Sequence, residues 1–498
     1  CARMPPSAAS SYIHFFTGVL VCTKEDKEGA VCVMRAWTAL GVYLAITWLL
    51  LAAVLAVGLL LGAGTAAGWA IAPLSMVFVI VVTFAYSNAA PVGEALLDAD
   101  SAGAPIRYHW LDNAKVVLIS LVVIGHSAVG FMGQGAFLGL DVPRANWLLP
   151  AGYCGLALFK PVVVPLFYFI SGFFSAVGRA RKGAGSFLRS SFWRLAPPYF
   201  LFWLVVNPLN SFVAFALTQP SHAKYSYFPN SAATWFLSWL LVFQSGFVLT
   251  DSLPAMPLPS FGRLMLVGFG VAIMQLGAST VCALAQSSLG FGEMPMAGPG
   301  GDGFFNALGF VGGLLAKTNE WLAQPLPRGL VRACWYYALV VAAAVVAFFV
   351  LTLGPGAPAH ALAGTLPWLL AFFGLQIPLG PYCVCVGVVA VDLLQRRCDF
   401  ETPLARFLAR GAFAVYLLQY WAVTATTYAY ILLLERTAGV HVEFVNSTQG
   451  ITSGSGPGGG ANDGELFAGF LFVAGISLPV AFLIGGLLKM VPVLGSYL

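Results

Sequence analysis

The chain has 498 residues, of which 59% are hydrophobic and only 9% are charged. Charged residues make up roughly 25% of an ordinary soluble domain, and so few charges could not cover the surface of a soluble fold of this size. The composition therefore excludes a soluble globular protein and predicts a polytopic membrane protein, with the lipid bilayer as a partner and no nucleic acid.

Residues 1–36 are expected to form a cytosolic N-terminal segment. They make no convincing signal peptide, because their apolar run is broken and is followed by Lys24-Glu-Asp-Lys27. The sequence begins with Cys1, so we expect a fragment or a processed form. Two apolar runs at 37–62 and 67–88 predict a transmembrane hairpin over 37–88, and the polar residues 89–109 predict a linker.

Residues 110–498 contain ten more apolar runs, each close to the roughly 20 residues that cross a bilayer. They lie at 113–134, 155–177, 197–218, 233–250, 264–285, 303–316, 333–353, 366–391, 411–434 and 466–488. The predicted fold is an all-α integral membrane protein with a ten-helix body and two additional N-terminal transmembrane helices.

The basic residues predict the orientation. With a cytosolic N-terminus, the cytosolic side carries twenty of the 24 Lys and Arg residues. The opposite side carries Arg144, Lys224 and Arg436, with Lys160 near the outer end of its span. Cytosolic loops are enriched in Lys and Arg, and one missed span would scramble every later loop. Both termini are therefore predicted to be cytosolic.

The apolar helix at 113–134 carries one buried ionisable residue, His126, in VVLISLVVIGHSAVG. Trp110 and an N-cap at Asp112 or Asn113 predict that this helix enters from the cytosol. The eleven-residue step from Lys115 to His126 is three turns plus about 20°, so both side chains share one face about 16 Å apart.

An ionisable group deep in a membrane span is costly and indicates a functional site. Loss of hydration favours the neutral imidazole, which can accept a proton as a general base. The structural alternatives are that His126 bonds a neighbouring carbonyl and that Lys115 extends to the lipid headgroups.

LDNAKVVLISLVVIGHS resembles the opening motif of the membrane-bound acyltransferase 3 family, which has an Arg, ten residues and then a His, preceded by Leu-Asp. Lys115 stands at the arginine position and His126 at the histidine. Three further segments follow in the family's order: VVPLFYFISGFFSA with Ser171-Gly172, FLRSSFWRLAPPYFLFW with Arg189 and Arg194, and TWFLSWLLVF with Trp235. The closing AFAVYLLQYW contains Tyr416 and Gln419, and the resemblance covers roughly residues 110–498.

The resemblance implies transfer of an acyl group, most often acetyl, from cytosolic acyl coenzyme A to a hydroxyl of a carbohydrate or similar acceptor at the opposite face. It implies His126 and Lys115 as catalytic residues, and no metal. The acyl coenzyme A phosphates would be bound by basic residues between the second and third spans of the body: Arg179, Arg181, Lys182, Arg189 and Arg194. Positive-inside bias and anionic lipid are the structural alternative for this cluster.

Supporting roles are expected for Asp112, Ser171, Gly172, Trp235, Tyr416 and Gln419. Two residues depart from the family pattern: Lys115 keeps the charge but lacks the guanidinium fork, and Gln419 replaces a histidine found in many members. The alternative function is a catalytically degenerate member acting as a transporter or as a structural subunit. Asn446-Ser447-Thr448 is a candidate N-glycosylation site in a predicted outer loop.

Overall fold

The fold is described from a computed structural model. The described residues are 108–129, 131, 148–218, 227, 229, 231–250, 253–284, 289–291, 294–297, 302–354, 366–438 and 463–490. The predicted segment 1–36, the hairpin 37–88, the linker up to residue 107 and the sequon at Asn446 lie outside these residues.

The described residues form eleven α-helices and one short antiparallel hairpin. The helices are α1 His109–Val129, α2 Leu148–Lys182, α3 Ala184–Leu201, α4 Asn207–Thr218, α5 Trp235–Val248, α6 Phe261–Leu284, α7 Gly303–Thr318, α8 Arg328–Leu353, α9 Leu366–Arg397, α10 Pro403–Ala438 and α11 Asp463–Met490. A π-helical turn, Phe202–Val206, joins α3 to α4, and a 3₁₀ turn, Ala232–Thr234, precedes α5. The hairpin pairs β1 Leu289–Phe291 with β2 Met294–Ala297 between α6 and α7.

The prediction of an all-α, multi-pass integral membrane protein is confirmed. Seven of the described helices are long and apolar enough to cross a bilayer, namely α1, α2, α6, α8, α9, α10 and α11. Each of the ten apolar runs of the predicted body overlaps a described helix. The number of spans and the cytosolic location of the termini stay predictions.

Close backbone contact joins α2 to α7. A Cβ atom at Gly172 would overlap the backbone carbonyl of Phe310, and Cβ atoms at Gly309 and Gly313 would overlap backbone carbonyls of α2. Small residues let membrane helices approach this closely. Gly172 therefore has a direct packing role between α2 and α7.

The predicted cytosolic loop at 178–196 is instead helical. Helix α2 continues to Lys182, the chain turns at Gly183 with φ +72°, and α3 begins at Ala184. A residue with this φ is usually glycine, because side chains are strained there. Hydropathy missed α3 because only one of its faces is apolar: Phe187 and Leu195 are buried while Arg189 is exposed.

Pro197 and Pro198, the first residues of the predicted apolar run 197–218, do not open a helix. Both lie inside α3, and the π-helical turn follows four residues later. The run from Ala184 to Thr218 is helical throughout. At 1.5 Å per residue, it spans about 52 Å, which exceeds a hydrocarbon core of about 30 Å. The run is therefore longer than one straight crossing of the bilayer requires.

The N-cap expected at Asp112 or Asn113 is also corrected. Helix α1 begins at His109, so both residues lie in its first turns. The Asn113 Nδ2 instead donates to the carbonyls of Cys398 and Phe400, at 2.6 and 2.8 Å. The start of α1 is thus held by a side chain that reaches the turn between α9 and α10.

Contacts between helix ends define two ends of the bundle. One end of the bundle is where α1 begins, α2 ends and α10 begins. We call it the basic end, because Lys115, Arg179 and Arg406 lie there. At the opposite, far end, Lys160 of α2 pairs with Asp302 just before α7, at 2.9 Å. The line from the basic end to the far end is taken as the axis of the bundle.

Candidate active site

His126 meets Gln419 inside the bundle. Helix α1 packs between α2, α10 and α11, and α10 presents Gln419 to it. The Nδ1 of His126 lies 3.0 Å from Oε1 of Gln419. Gln419 is 0% exposed, so no solvent or lipid competes for its amide. Two residues 293 positions apart in sequence thus form one buried polar pair.

The second hydrogen bond of Gln419 determines which imidazole nitrogen carries the proton. Its Nε2 donates to the backbone carbonyl of Tyr416, at 3.0 Å. If the amide were reversed, Oε1 would face the Tyr416 carbonyl oxygen, and neither oxygen could donate a hydrogen bond. Oε1 therefore faces His126, where it accepts a hydrogen bond. The Nδ1 of His126 is therefore the protonated nitrogen in the neutral ring. The lone pair on Nε2 is left as the proton acceptor.

Two tyrosines of α10 complete this group. The hydroxyl of Tyr420 lies 3.3 Å from Nε2 of His126, and the two rings pack at 4.9 Å between centroids. The hydroxyl of Tyr416 donates to the carbonyl of Ala233, two residues before Trp235. We call His126, Tyr416, Gln419 and Tyr420 the histidine cluster. Three of its members, His126, Gln419 and Tyr416, were named in the sequence prediction. The hydrogen bond from Tyr416 to Ala233 connects the cluster to the residues just before α5.

His126 of the histidine cluster is partly exposed. His126 is half-buried although Gln419 is fully buried. The neighbouring Gly125 is exposed, and a Cβ atom there would meet no atom within 4 Å. An imidazole with a fixed proton on one nitrogen and an accessible edge can take a proton from a hydroxyl that reaches it.

At the basic end, Lys115 is held in place by two neighbours. Its Nζ pairs with Asp112 at 2.9 Å and lies 4.4 Å from the centre of the Phe174 ring. Lys317 at the end of α7 lies 6.0 Å from the centre of the adjacent Phe173 ring. Two ammonium groups thus flank the phenylalanines that follow Ser171-Gly172.

The five basic residues predicted to bind phosphates fall into two groups. Arg179 donates to the carbonyls of Phe247 and Thr250, at 2.8 and 2.5 Å, and covers the Phe247 ring. It therefore fastens α2 to the end of α5. The other four are exposed on α2 and α3: Arg181, Lys182, Arg189 and Arg194.

The exposed group keeps its positive charge. Lys182 donates to the hydroxyl of Ser190 at 2.9 Å, which leaves its charge unneutralised. Within the described part of the chain, no carboxylate pairs with Arg181, Arg189 or Arg194. By contrast, Arg406 pairs with Glu401 at 3.0 Å. An uncompensated guanidinium cluster suits phosphate oxygens.

Sequence reasoning missed Tyr420 and Lys317 as members of these groups. The sequence held a signal for each residue. Tyr420 directly follows Gln419, and Lys317 ends the segment GFVGGLLAK, which also resembles the acyltransferase 3 family. As for metals, no three His, Cys, Asp or Glu side chains gather into a metal-binding group within the described ranges.

The described residues thus form a multi-pass helical bundle in which a histidine of one helix is hydrogen-bonded to a buried amide of another. A family model described as an acyltransferase domain matches residues 108–486. The chain therefore belongs to the acyltransferase 3 family and is a membrane acyltransferase. The chain has no significant match among curated proteins or solved structures.

Proposed function

We propose that the protein transfers an acetyl group from acetyl coenzyme A, bound at the basic end, to a hydroxyl of a carbohydrate or similar acceptor that enters from the far end. The His126–Gln419 hydrogen bond is the observation that carries this proposal. It leaves Nε2 of His126 as a proton acceptor inside a span. The Tyr420 hydroxyl lies 3.3 Å from this nitrogen, and the acceptor hydroxyl would take its place.

In the proposed reaction, Nε2 of His126 removes the proton from the acceptor hydroxyl. The hydroxyl oxygen attacks the thioester carbonyl carbon, so an oxygen–carbon bond forms and the carbon–sulfur bond breaks. The imidazolium returns the proton to the departing thiolate, which leaves as coenzyme A. Gln419 is a positioning residue in this scheme, because its Oε1 holds the Nδ1 proton throughout.

The donor is proposed to lie between the exposed basic residues of α2 and α3 and the histidine cluster. Arg181, Lys182, Arg189 and Arg194 would bind the phosphates of coenzyme A, where guanidinium forks match phosphate oxygens. Lys115 would lie at the mouth, and the pantetheine arm would follow α1 inward. The separation of Lys115 from His126 along the helix is about 16 Å. This length matches the reach that such an arm needs to bring its thioester to the imidazole.

The test uses detergent-solubilised protein with radiolabelled acetyl coenzyme A, measuring hydrolysis to acetate and transfer to methyl β-D-glucopyranoside. His126→Ala should lose roughly 10²- to 10⁴-fold in rate, the usual contribution of a general base. His109→Ala is the matched control, because His109 lies on the same helix at the basic end, 3.7 Å from Glu401. It should stay within twofold of wild type.

Two results would contradict the proposal. Equal turnover by wild type and His126→Ala would remove the histidine from the chemistry. A wild-type protein that binds coenzyme A poorly and gives neither acetate nor ester would instead support the degenerate transporter or structural role.

A further inference from the structure

The phenol of Tyr420 lies at the same depth in the bundle as the imidazole of His126. Helix α1 begins at His109 and α10 begins at Pro403, both at the basic end. Each of the two residues lies about 26 Å along its helix from that start, at 1.5 Å per residue. A thioester brought to His126 from the basic end therefore also comes close to the hydroxyl of Tyr420.

The hydroxyl of Tyr420 donates to His126 in the resting protein. It lies 3.3 Å from Nε2 of His126. Because the hydrogen bond to Gln419 places the ring proton on Nδ1, Nε2 has only a lone pair to offer. The phenol proton therefore points toward Nε2. The proposed reaction uses this same nitrogen to accept the substrate proton, so a bound acceptor hydroxyl displaces the phenol from it.

The other hydrogen-bond donors of the histidine cluster are bonded to atoms of the protein itself. The Nδ1 proton of His126 goes to Gln419, and Nε2 of Gln419 donates to the carbonyl of Tyr416. The hydroxyl of Tyr416 donates to the carbonyl of Ala233. None of these acceptor atoms reacts, so these bonds persist throughout. Within the histidine cluster, Tyr420 is thus the residue whose donor changes its target when substrate binds.

The ring of Tyr420 is held by a strained turn. Ala232 and Ala233 pack against it. Ala232 has φ +42°, in the left-handed region that residues with a side chain rarely adopt. Such strain persists only where the surrounding structure fixes it, and it is concentrated at active sites. The rings of Tyr420 and His126 also pack at 4.9 Å between centroids. The phenol is therefore in position before substrate binds.

The proposed reaction creates a negative charge that the base cannot neutralise. When the acceptor oxygen attacks the thioester, the carbonyl oxygen becomes an oxyanion, while His126 holds the transferred proton. A fixed donor about 2.7–3.1 Å from that oxygen stabilises the transition state. The attacking oxygen lies between Nε2 and the carbonyl carbon, about 3 Å from each. A phenol 3.3 Å from Nε2 can therefore reach the carbonyl oxygen.

We propose that Tyr420 is a second catalytic residue, whose phenol donates a hydrogen bond to the oxyanion of the tetrahedral intermediate. The acceptor hydroxyl replaces the phenol at Nε2 of His126, and the phenol turns to the thioester carbonyl oxygen. Tyr420 keeps its proton throughout. Its hydrogen bond is strongest while the oxygen is charged and weakens when the carbon–sulfur bond breaks and the carbonyl re-forms. This inference rests on the proposed function and adds the group that stabilises its intermediate.

Tyr420→Phe tests this role, because it keeps the ring and removes only the hydroxyl. For radiolabelled acetyl coenzyme A, the kcat of hydrolysis and of transfer to methyl β-D-glucopyranoside should both fall roughly 10²- to 10³-fold, the usual effect of one oxyanion donor. The KM for acetyl coenzyme A should stay within about twofold of wild type. Tyr430→Phe is the matched control, because Tyr430 lies on the same helix and its hydroxyl donates to the carbonyl of Glu465 at 2.5 Å. Its kcat should not change.

A binding measurement separates the oxyanion role from a packing role. The hydrate of trifluoroacetonyl coenzyme A resembles the tetrahedral intermediate, because its former ketone carbon carries two oxygens. Transition-state analogues lose affinity as catalysis is lost, so calorimetry should show roughly 10²-fold weaker binding of the hydrate by Tyr420→Phe. Coenzyme A itself should bind both proteins equally. If thermal unfolding shows that Tyr420→Phe does not fold, 3-fluorotyrosine at position 420 keeps the shape and is a stronger donor. It should bind the hydrate more tightly than wild type.

Several results would overturn the role of Tyr420. These are an unchanged kcat in Tyr420→Phe, equal losses in Tyr420→Phe and Tyr430→Phe, a parallel loss of coenzyme A binding, or hydrate binding that does not respond to the phenylalanine or to the fluorotyrosine. The proposed function fails in a different way, because acetyl coenzyme A hydrolysis by wild type would then not depend on His126. The calorimetric comparison at position 420 needs no turnover, so the two failures are distinguishable.

Discussion

Replacing Gln419 with leucine tests whether the proton on Nδ1 of His126 must be held in place. The substitution removes the 3.0 Å hydrogen bond to His126 and the 3.0 Å bond to the Tyr416 carbonyl. A buried N–H without a partner costs about 1–3 kcal/mol, and about 1.4 kcal/mol changes a rate tenfold. We therefore expect kcat to fall roughly 5- to 150-fold. The KM for acetyl coenzyme A should not change, because the proposed phosphate site lies at the other end of α1.

Gln419→His is the conservative variant. An imidazole can donate to the Tyr416 carbonyl from one nitrogen and accept from His126 at the other, so kcat should stay within about threefold of wild type. Gln244→Leu is the matched control, because Gln244 is also buried but donates to Ser175 at 3.0 Å. Initial rates of labelled acetyl transfer give kcat and KM, and thermal unfolding monitored by fluorescence gives stability.

The pH profile separates positioning from a structural role. Gln419→Glu places a carboxylate against Nδ1, which stabilises the charged imidazolium. A larger fraction of His126 is then protonated at a given pH and cannot act as a base. The acidic limb of kcat should move to higher pH. Wild-type kcat in Gln419→Leu, or equal losses in the leucine and histidine variants, would refute the positioning role.

Three further substitutions test the packing and the basic end. Gly172→Ala should destabilise the fold by about 1–3 kcal/mol through overpacking against α7, whereas Gly125→Ala, which faces open space, should leave the unfolding temperature unchanged. Arg179→Met should lower the unfolding temperature without changing the KM for acetyl coenzyme A, whereas Arg189→Met should raise that KM roughly fivefold. Lys115→Met should also raise the KM for acetyl coenzyme A. Lys115→Arg should leave that KM unchanged or lower it, because a guanidinium can bind phosphate with two bonds.

Specific outcomes would contradict each of these. Equal stability losses at the two glycines would remove the packing argument for Gly172. A donor KM raised by Arg179→Met would assign that arginine to coenzyme A despite its bonds to α5. A donor KM that is insensitive to every substitution at Lys115 would show that the mouth of α1 does not contact the donor.

The membrane helices themselves were predictable, because a span needs a long apolar run and any such run is visible in the sequence. Helix α3 was not, since half of its surface is polar and it packs by one face only. Pro197 and Pro198 begin the predicted apolar run 197–218, but they do not begin a helix. Proline marks the first turn of a helix in many proteins, but here the helix begins at Ala184 and contains both prolines.

His126 was recognisable in the sequence as an ionisable residue within an apolar run, and its spacing from Lys115 followed from helix geometry. The partner of His126 was not visible. Gln419 stood out only as the replacement of a histidine, which suggested a loss of function. In the folded chain, it is the residue that bonds His126 directly.

The sequence by itself therefore determined the membrane class, the positions of the seven described helices that are long enough to cross a bilayer and the residue that carries the proposed chemistry, because hydropathy and helical spacing are local properties. Only the tertiary structure decided that α10 presents Gln419 and Tyr420 to α1, that Arg179 fastens two helices, and that Asn210 of α4 donates to Thr424 of α10. These depend on which helices are neighbours and how they are rotated. Packing between distant segments sets both, and no local pattern encodes it.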